Sequence, residues 1–242
     1  MDERPGPKTE LLIENFPDRK TQARALAERT AYLLAKAVSK RGRASLVVSG
    51  GSTPVLFFEE LSGQEIEWSR ITITLADERM VPEGHPDSNG ALVKRHLLRD
   101  RAAKARFIGL YAGAEAAGSD RGERYCEERV RSIGLPFDVL VLGMGSDGHT
   151  ASLFPGAPEL KEAVDMDSGR LCASITPPDA PHERITLTLP ALLSSRWIFL
   201  LISGEEKMKV LKRALGPGRP EEMPIRYVLN GAGRPVELFW AP

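Results

Sequence analysis

Residues 137–155 read FDVLVLGMGSDGHTASLFP, an apolar run followed by a loop rich in glycine. Its first six residues are nearly all apolar, which predicts a buried strand, and a glycine-rich loop follows directly. Similar short apolar runs occupy residues 44–49, 71–76 and 196–202. Strands that are apolar along their whole length are typical of a parallel sheet covered on both faces.

Amphipathic stretches alternate with these runs. Helices are predicted at residues 18–40, 88–99, 118–130 and 205–215, because their apolar positions recur with helical spacing. Weaker strand patterns lie at residues 11–16, 171–175, 184–189 and 236–240. The alternation of strand and helix predicts an α/β fold, with a mostly parallel sheet and helices on both faces.

The charge balance and the hydropathy of the chain exclude several kinds of partner. Lys plus Arg number 33 and Asp plus Glu number 33, so the net charge is zero, whereas nucleic-acid binders normally carry a basic excess. No run approaches the roughly 18 apolar residues of a membrane span, and residues 1–6 contain no apolar signal core. We therefore expect a cytoplasmic protein without nucleic-acid or membrane partners.

The chain has two cysteines, Cys126 and Cys172, and both lie inside patterned segments. Their spacing matches neither a zinc site nor a Cys-x-x-Cys redox motif. Because the cytoplasm keeps thiols reduced, we expect two free thiols in the interior or at its edge.

The first candidate site is the turn Ser49-Gly50-Gly51-Ser52-Thr53-Pro54, directly after an apolar run. Two glycines let the backbone turn sharply, and Thr53 is predicted to cap a helix whose first residue is Pro54. Free N–H groups at such a turn can bind an anion. Taken alone, the turn fits a plain strand-to-helix connection equally well.

Further polar residues follow other predicted elements. Asp77-Glu78-Arg79 ends the run at residues 71–76, where carboxylates can orient water or sugar hydroxyls and Arg79 can pair with a phosphate. Taken alone, these three residues favour a solvated charged loop. Arg184 and Lys207 begin a strand and a helix pattern, and either could reach a phosphate, although isolated basic residues are mostly solvated.

Among the four histidines, His149 alone lies in a glycine-rich loop directly after a buried strand. An unperturbed imidazole titrates at about pH 6.5, so it can take a proton from water and return it near neutral pH. A structural histidine bonded within the loop is the alternative. Asp147 and His149 are the only obvious metal ligands nearby, fewer than the three of a typical catalytic zinc site, so we expect catalysis without a metal.

These segments occur together and in order, and the pattern resembles the glucosamine-6-phosphate isomerase/6-phosphogluconolactonase family, in particular its lactonase branch. The matching pieces are residues 49–54, 75–82, 88–89, 143–155 and 184–188, with Gly204 and Lys207. The resemblance covers roughly residues 25 to 215, and the run at residues 147–155 is its most specific part. The segment after about Leu215 matches less distinctly and is assigned no role.

The resemblance implies one Rossmann-like domain over residues 1–242 that hydrolyses 6-phosphogluconolactone in the oxidative pentose phosphate pathway. The substrate would be a small phosphorylated sugar lactone, and no cofactor is implied. His149 resembles the general base, and Asp147 and Asp77 resemble neighbours that shape the site. The implied phosphate and sugar contacts are Ser49, Gly50, Gly51, Ser52, Thr53, Arg79, Arg184 and Lys207.

Two other functions compete with this interpretation. The deaminase/isomerase branch of the family is similar at Asp77, Asp147 and His149, but it carries a glutamate just before the proline that ends the loop. This chain has Phe154 there, so the acid–base partner for ring opening is missing. A non-catalytic sugar-phosphate sensor would normally add a DNA-binding segment, whereas the residues before the first strong strand predict one amphipathic helix.

Overall fold

The computed structural model describes residues 10–111, 113 and 119–242 of the chain. The strands are β1 Leu11–Asn15, β2 Ala44–Val48, β3 Ile71–Leu75, β4 Asp77–Arg79, β5 Arg106–Ile108, β6 Phe137–Leu142, β7 Cys172–Ile175, β8 Arg184–Leu187, β9 Ser195–Ser203 and β10 Val236–Ala241. The helices are α1 Arg19–Arg41, α2 Val55–Ser62, α3 Asn89–His96, α4 Ser119–Ile133, α5 Leu160–Ala163, α6 Leu189–Leu193, α7 Glu205–Leu215 and α8 Ile225–Gly231. None of the described helices is both long and apolar enough to cross a bilayer.

Seven strands form one sheet in the order β1-β10-β9-β6-β2-β3-β5, and every neighbouring pair in it is parallel. All residues of the central strands β2 and β6 are buried. Because successive side chains of a strand point to opposite faces, this burial means that both faces are covered. The α/β fold class predicted from the apolar runs is confirmed.

The order of the strands reverses between β2 and β6. From β2 the chain builds outward through β3 and β5, whereas from β6 it builds through β9 and β10 on the other side. In open parallel sheets, ligands bind beyond the carboxyl ends of the strands at such a switch point. The glycine turn follows β2 and the His149 loop follows β6, so the fold brings these two segments to the same crevice.

A second, antiparallel sheet of β4, β8 and β7 lies beside this crevice. Asp77 and Glu78 of β4 are buried, as is Arg184 of β8. The solvated charged loop favoured for residues 77–79 alone is therefore wrong, and so is a solvated Arg184. The physical reason is pairing: the backbone of β4 bonds to β8, with Arg79 in register with Arg184, instead of bonding to water.

The helix boundaries follow the predictions closely where the residues are described; residues 1–6 and 118 lie outside the described ranges. Ser88 caps α3 as predicted, since its hydroxyl accepts the amide N–H of Ala91 at 3.1 Å. The predicted cap by Thr53 is wrong. Pro54 already has helical backbone angles and occupies the cap position of α2, where no side chain bonds to the first turn.

The two cysteines form a disulfide between α4 and β7, so the expectation of free thiols is wrong. Both residues are fully buried, and their Cα atoms lie 6.2 Å apart although 46 positions separate them in sequence. No local spacing could reveal this bond, because only the packing of α4 against β7 brings the sulfur atoms together.

We expect the disulfide to stabilise the folded protein. Closing a loop of 46 residues is worth about 4 kcal/mol through the lower entropy of the unfolded chain. Dithiothreitol should therefore lower the melting temperature of the wild type but not that of a Cys126→Ala/Cys172→Ala variant. Alkylation of the unfolded wild type without reductant should label neither cysteine. Full labelling there would contradict the bond.

Candidate active site

A cavity of about 310 Å³ opens at the carboxyl ends of β2 and β6. The predicted site residues that line it are Ser49, Gly50, Gly51, Ser52, Thr53, Asp77, Arg79, His149 and Lys207. Asp147 and Arg184 do not line the cavity, but each is next to a residue that does. Asp147 bonds to the imidazole of His149, and Arg184 is the cross-strand partner of Arg79. The structure thus brings residues from five separate segments to one place.

The imidazole of His149 and the carboxylate of Asp147 form a close pair. The Nδ1 atom of His149 lies 2.6 Å from Oδ1 of Asp147, and the amide N–H of His149 donates to the same oxygen at 3.0 Å. A carboxylate at Nδ1 places the proton on that nitrogen, which leaves Nε2 with a free lone pair. The ring of Phe154 packs against the imidazole at a centroid distance of 4.3 Å.

The electrostatics of Asp147 follow from this pairing. Burial acts to raise the pKa of its carboxyl, but the hydrogen bonds and charge of His149 outweigh burial, so the pKa is lower than usual. Asp147 is therefore ionised at neutral pH. An ionised carboxylate at Nδ1 stabilises the imidazolium that forms when Nε2 takes a proton.

Gly145 makes room for the pair. A Cβ added there would lie 2.2 Å from Nδ1 of His149 and 2.5 Å from Oδ1 of Asp147. The loop is closed beneath the pair by a hydrogen bond from the Gly145 amide to the His149 carbonyl at 2.8 Å. The glycine is thus required by the close approach of the imidazole, which lies over the Cα atom of Gly145.

The segment after Leu215, which the sequence left without a role, supports this loop from behind. The amide of Ile225 donates to the carbonyl of Gly148 at 2.8 Å, and a Cβ added at Gly148 would lie 2.8 Å from Cβ of Met223. Arg226 is buried next to them and donates to four main-chain carbonyl groups, those of Arg213, Ala214, Pro217 and Arg219. Arg226 therefore ties the end of α7 to the turn that contacts the loop carrying His149.

Asn89, the first residue of α3, packs closely against the glycine turn. A Cβ at Gly50 would lie 1.8 Å from Oδ1 of Asn89, so only glycine fits there. The Nδ2 group of Asn89 donates to the carbonyl of Asp77 at 2.9 Å. One side chain thereby links β4, α3 and the turn after β2.

Asp77 and Glu78 anchor β4 in different ways. The carboxylate of Asp77 accepts the hydroxyl of Ser152 at 2.6 Å, which connects it to the loop that carries His149. Glu78 accepts the amide N–H groups of Arg79, Asn89 and Gly90 and the hydroxyl of Ser88. Burial nevertheless raises the pKa of Glu78 above its usual value.

Three cationic side chains lie in or beside the cavity. Arg79 and Arg184 are cross-strand neighbours, and burial together with the charge of Arg79 lowers the pKa of Arg184. Lys207 lies in the first turns of α7; burial lowers its pKa, and the nearby charge of Asp147 opposes that shift. Two like charges in neighbouring strands repel each other, so this arrangement favours an anion between them.

Several polar atoms around the cavity have no partner within the protein. Among the described residues, five buried side-chain atoms lack a hydrogen bond, and four of them belong to Ser49, Arg79, Asn89 and Arg184. Leaving such a group unpaired costs about 1–3 kcal/mol. The Ser49 hydroxyl and the two arginine Nε–H groups can donate to an anion, whereas Asn89 Oδ1 can only accept. Since Ser49, Arg79 and Asn89 line the cavity, these atoms indicate a polar ligand with both acceptor and donor groups.

Comparison with known proteins agrees with this geometry. Residues 17–240 match the family model described as glucosamine-6-phosphate isomerases/6-phosphogluconolactonase. The chain belongs to this family. It is 47% identical over 221 residues to a 6-phosphogluconolactonase of Pseudomonas aeruginosa, with 91% of each chain covered. The crystal structure of a 6-phosphogluconolactonase from Shewanella baltica is 43% identical, covers 98% of this chain and 100% of its own, and has a TM-score of 0.90.

A further relative is the 6-phosphogluconolactonase of Rhizobium meliloti, which is 44% identical and covers 94% of this chain and 97% of its own. A monomeric glucosamine-6-phosphate deaminase also shares the fold, with a TM-score of 0.78 at 20% identity. At that identity the likeness concerns the fold alone. Both branches of the family thus share this scaffold, and the site must distinguish them.

Three residues of this family member were missed as site residues. Asn89 was noted only as part of a matching motif, and neither Ser152 nor Phe154 was assigned a contact. The signal of Asn89 in the sequence is weak, because an asparagine beside a helix cap is common. A single serine or phenylalanine in a loop, as at Ser152 and Phe154, gives no local signal of its contacts. Only the tertiary contacts to Gly50, Asp77 and His149 give them a place in the site.

We expect Gly145→Ala to impair catalysis while the protein stays folded, because the new methyl group displaces the imidazole from its place over the loop. A displacement of about 1 Å can cost about a hundredfold in rate. Steady-state kinetics and the melting temperature should be measured on the same sample. Gly63→Ala is the control, since an added Cβ there meets one atom at 4.0 Å. Unchanged kcat in Gly145→Ala would contradict this placement.

Proposed function

We propose that this chain is a lactone hydrolase, a carboxylic ester hydrolase that converts 6-phosphogluconolactone to 6-phosphogluconate. The observation that carries the proposal is the His149–Asp147 pair at the wall of a cavity that also holds the cationic side chains of Arg79 and Lys207 and several polar atoms without partners. The family membership and the lactonases that resemble the chain over nearly its whole length support it.

The phosphate of the substrate binds between the glycine turn and the basic residues. The turn at residues 49–53 lines the cavity, and the first turn of α2 behind it carries no side-chain cap. Its N–H groups and the positive end of the helix dipole therefore face the ligand. Arg79 and Lys207 supply full charges for a group that carries nearly two negative charges at neutral pH.

Holding the phosphate places the lactone carbonyl next to His149. The Nε2 atom takes a proton from a water molecule while the water oxygen attacks the carbonyl carbon. The tetrahedral intermediate then collapses, the bond from that carbon to the ring oxygen breaks, and the imidazolium returns its proton to the ring oxygen. Asp147 stabilises the imidazolium between these steps, so the residue acts first as base and then as acid.

The remaining residues position this machinery. Ser152 ties Asp77 to the catalytic loop, and Asn89 donates to the Asp77 carbonyl while its side chain packs against Gly50. Arg184 lies behind Arg79 and holds positive charge at the phosphate end. A δ-lactone is an activated ester, so neither a covalent nucleophile nor a metal is required in this scheme.

A deaminase/isomerase is the second candidate, and Phe154 argues against it. Ring opening of an amino sugar phosphate needs an acid–base group at that position. Here an apolar ring, 8% exposed, lies against the imidazole of His149. The aromatic ring can orient the imidazole but cannot transfer a proton, so the site favours direct attack of water on an ester.

We expect phosphate recognition to depend on Arg79 and Lys207. Gluconolactone without phosphate should be a much poorer substrate. Losing one charged hydrogen-bond donor costs about 1.5–3 kcal/mol, which corresponds to a rise in KM of about ten- to a hundredfold for Arg79→Ala or Lys207→Ala.

Lys209→Ala is the matched control, because Lys209 lies on the same helix, α7, but is exposed and pairs with Glu206. Its KM should remain that of the wild type. Equal kcat/KM for the phosphorylated and unphosphorylated lactones would contradict the assignment of the phosphate end.

We expect His149→Ala to lower kcat by about two to four orders of magnitude, because it removes the acid–base group. His149→Gln should be similarly poor, since an amide cannot accept the proton. Both variants should still bind 6-phosphogluconate, measured by calorimetry, with a melting temperature close to that of the wild type.

The assay must use freshly made 6-phosphogluconolactone, and the spontaneous hydrolysis rate must be subtracted. A purely structural histidine would give a different result: lower stability with turnover per folded molecule intact. A folded His149→Ala protein that retains near wild-type turnover would remove His149 from the mechanism.

A further inference from the structure

Outside the cavity, two histidines flank one carboxylate. Nε2 of His182 lies 3.0 Å from Oδ2 of Asp87, and Nδ1 of His85 lies 3.8 Å from the same oxygen. One nitrogen or oxygen atom of each residue falls within 4.8 Å of the other two. All three side chains are partly exposed, at 34%, 50% and 31% for His85, Asp87 and His182. A small solute can therefore reach them.

The chemistry of this cluster is that of a metal site. Two imidazole nitrogens and one carboxylate oxygen are ligands that Zn²⁺ takes in proteins. Around a tetrahedral ion with bonds of about 2.0–2.2 Å, neighbouring ligand atoms are about 3.4 Å apart. The two separations observed at Asp87, 3.0 Å and 3.8 Å, lie on either side of that value, and the ligand atoms of the two histidines lie within 4.8 Å of each other. The side chains would therefore have to rotate to close around an ion.

We propose that His85, Asp87 and His182 form a binding site for Zn²⁺ or a similar divalent transition-metal ion, with water as the remaining ligand. Nε2 of His182, which faces Oδ2 of Asp87 at 3.0 Å, must carry no proton to bind the ion, so its hydrogen bond to Asp87 is exchanged for one metal bond from each group. The backbone amide of Asp87, which donates to Nδ1 of His85 at 3.1 Å, must give up that bond when this nitrogen binds the ion.

The site joins two loops that hold the phosphate-binding arginines. His85 and Asp87 lie between β4 and α3, and His182 lies two residues before Arg184 in β8. Beside the cluster, the amide of Met80 donates to the carbonyl of Glu183 at 2.8 Å, and the guanidinium of Arg79 donates to the main-chain carbonyl of Asp87. A bound ion would fasten the loop before α3 to the loop before β8.

Two features of the cluster limit its affinity for a cation. Arg79 and Arg184 place positive charge near the cluster, which opposes a cation, and Asp87 supplies only one negative charge. The ion should bind the folded arrangement more tightly than the unfolded chain, so it should raise the melting temperature, and the rise should grow with the logarithm of the Zn²⁺ concentration above the Kd. The site lies apart from His149, and lactone hydrolysis is expected to continue after prolonged dialysis against EDTA.

The test is calorimetric titration of the EDTA-treated full chain with ZnCl₂, together with the melting temperature with and without Zn²⁺. We expect one site in the wild type. His85→Ala and His182→Ala should each bind Zn²⁺ at least about tenfold more weakly and lose the thermal shift.

His96→Ala is the matched control, because His96 also pairs with one carboxylate, that of Glu59 at 3.0 Å, yet belongs to no cluster of three ligands among the described residues. It should bind as the wild type does. His149→Ala should also keep the site. Binding of 6-phosphogluconate to each variant reports that it is folded.

Two results would overturn the proposal. The first is no Zn²⁺ binding by the wild type. The second is binding that survives His182→Ala but disappears in His149→Ala, which would place the ion on the catalytic pair. Zn²⁺ binding is measured here without the lactone substrate. A failure of the metal-site proposal can therefore be distinguished from a failure of the proposed hydrolase function.

Discussion

The parallel pairing of β2 with β6 is the constraint on which the site depends. Leu46, Val47 and Val48 pair with Val139, Leu140 and Val141, and the ladder continues into the turn through the bond from the Ser49 amide to the Val141 carbonyl at 3.1 Å. Since both strands are buried, a slip of register would expose apolar side chains or distort the ladder. The register therefore fixes where the glycine turn stands relative to the catalytic loop.

A second set of bonds holds the remaining segments against that frame. Glu78 accepts four hydrogen bonds from β4 and the start of α3. Asn89 donates to the main-chain carbonyl of Asp77, and Ser152 donates to its carboxylate. Burying a carboxylate is costly unless it is fully bonded, so these contacts hold β4 in one position. They leave the remaining polar atoms of the cavity free for a ligand.

The division of labour in the site follows from this arrangement. Some polar groups have all their hydrogen bonds within the protein and hold the backbone of the site in place; examples are Asp77, Glu78 and Arg226. Other polar atoms have no partner and lie where the substrate is proposed to bind, such as Ser49 Oγ and Arg79 Nε. His149 combines both properties: its Nδ1 atom bonds to Asp147, and its Nε2 atom remains available to take a proton from water in the proposed reaction. A preorganised site of this kind needs little rearrangement during the reaction.

The α/β class, the main strands and helices, and the loop that carries His149 could all be predicted from the amino-acid sequence, because hydrophobic periodicity and glycine-rich turns are local signals. The sequence also indicated most residues that line the cavity, through motifs that resemble one family. Tertiary structure alone decided the burial of Asp77, Glu78 and Arg184, the disulfide between Cys126 and Cys172, the support of Gly148 by Met223 and Ile225, and the cluster of His85, Asp87 and His182. The reason is physical: each of these features joins segments distant in sequence, and the packing of whole elements sets their distances.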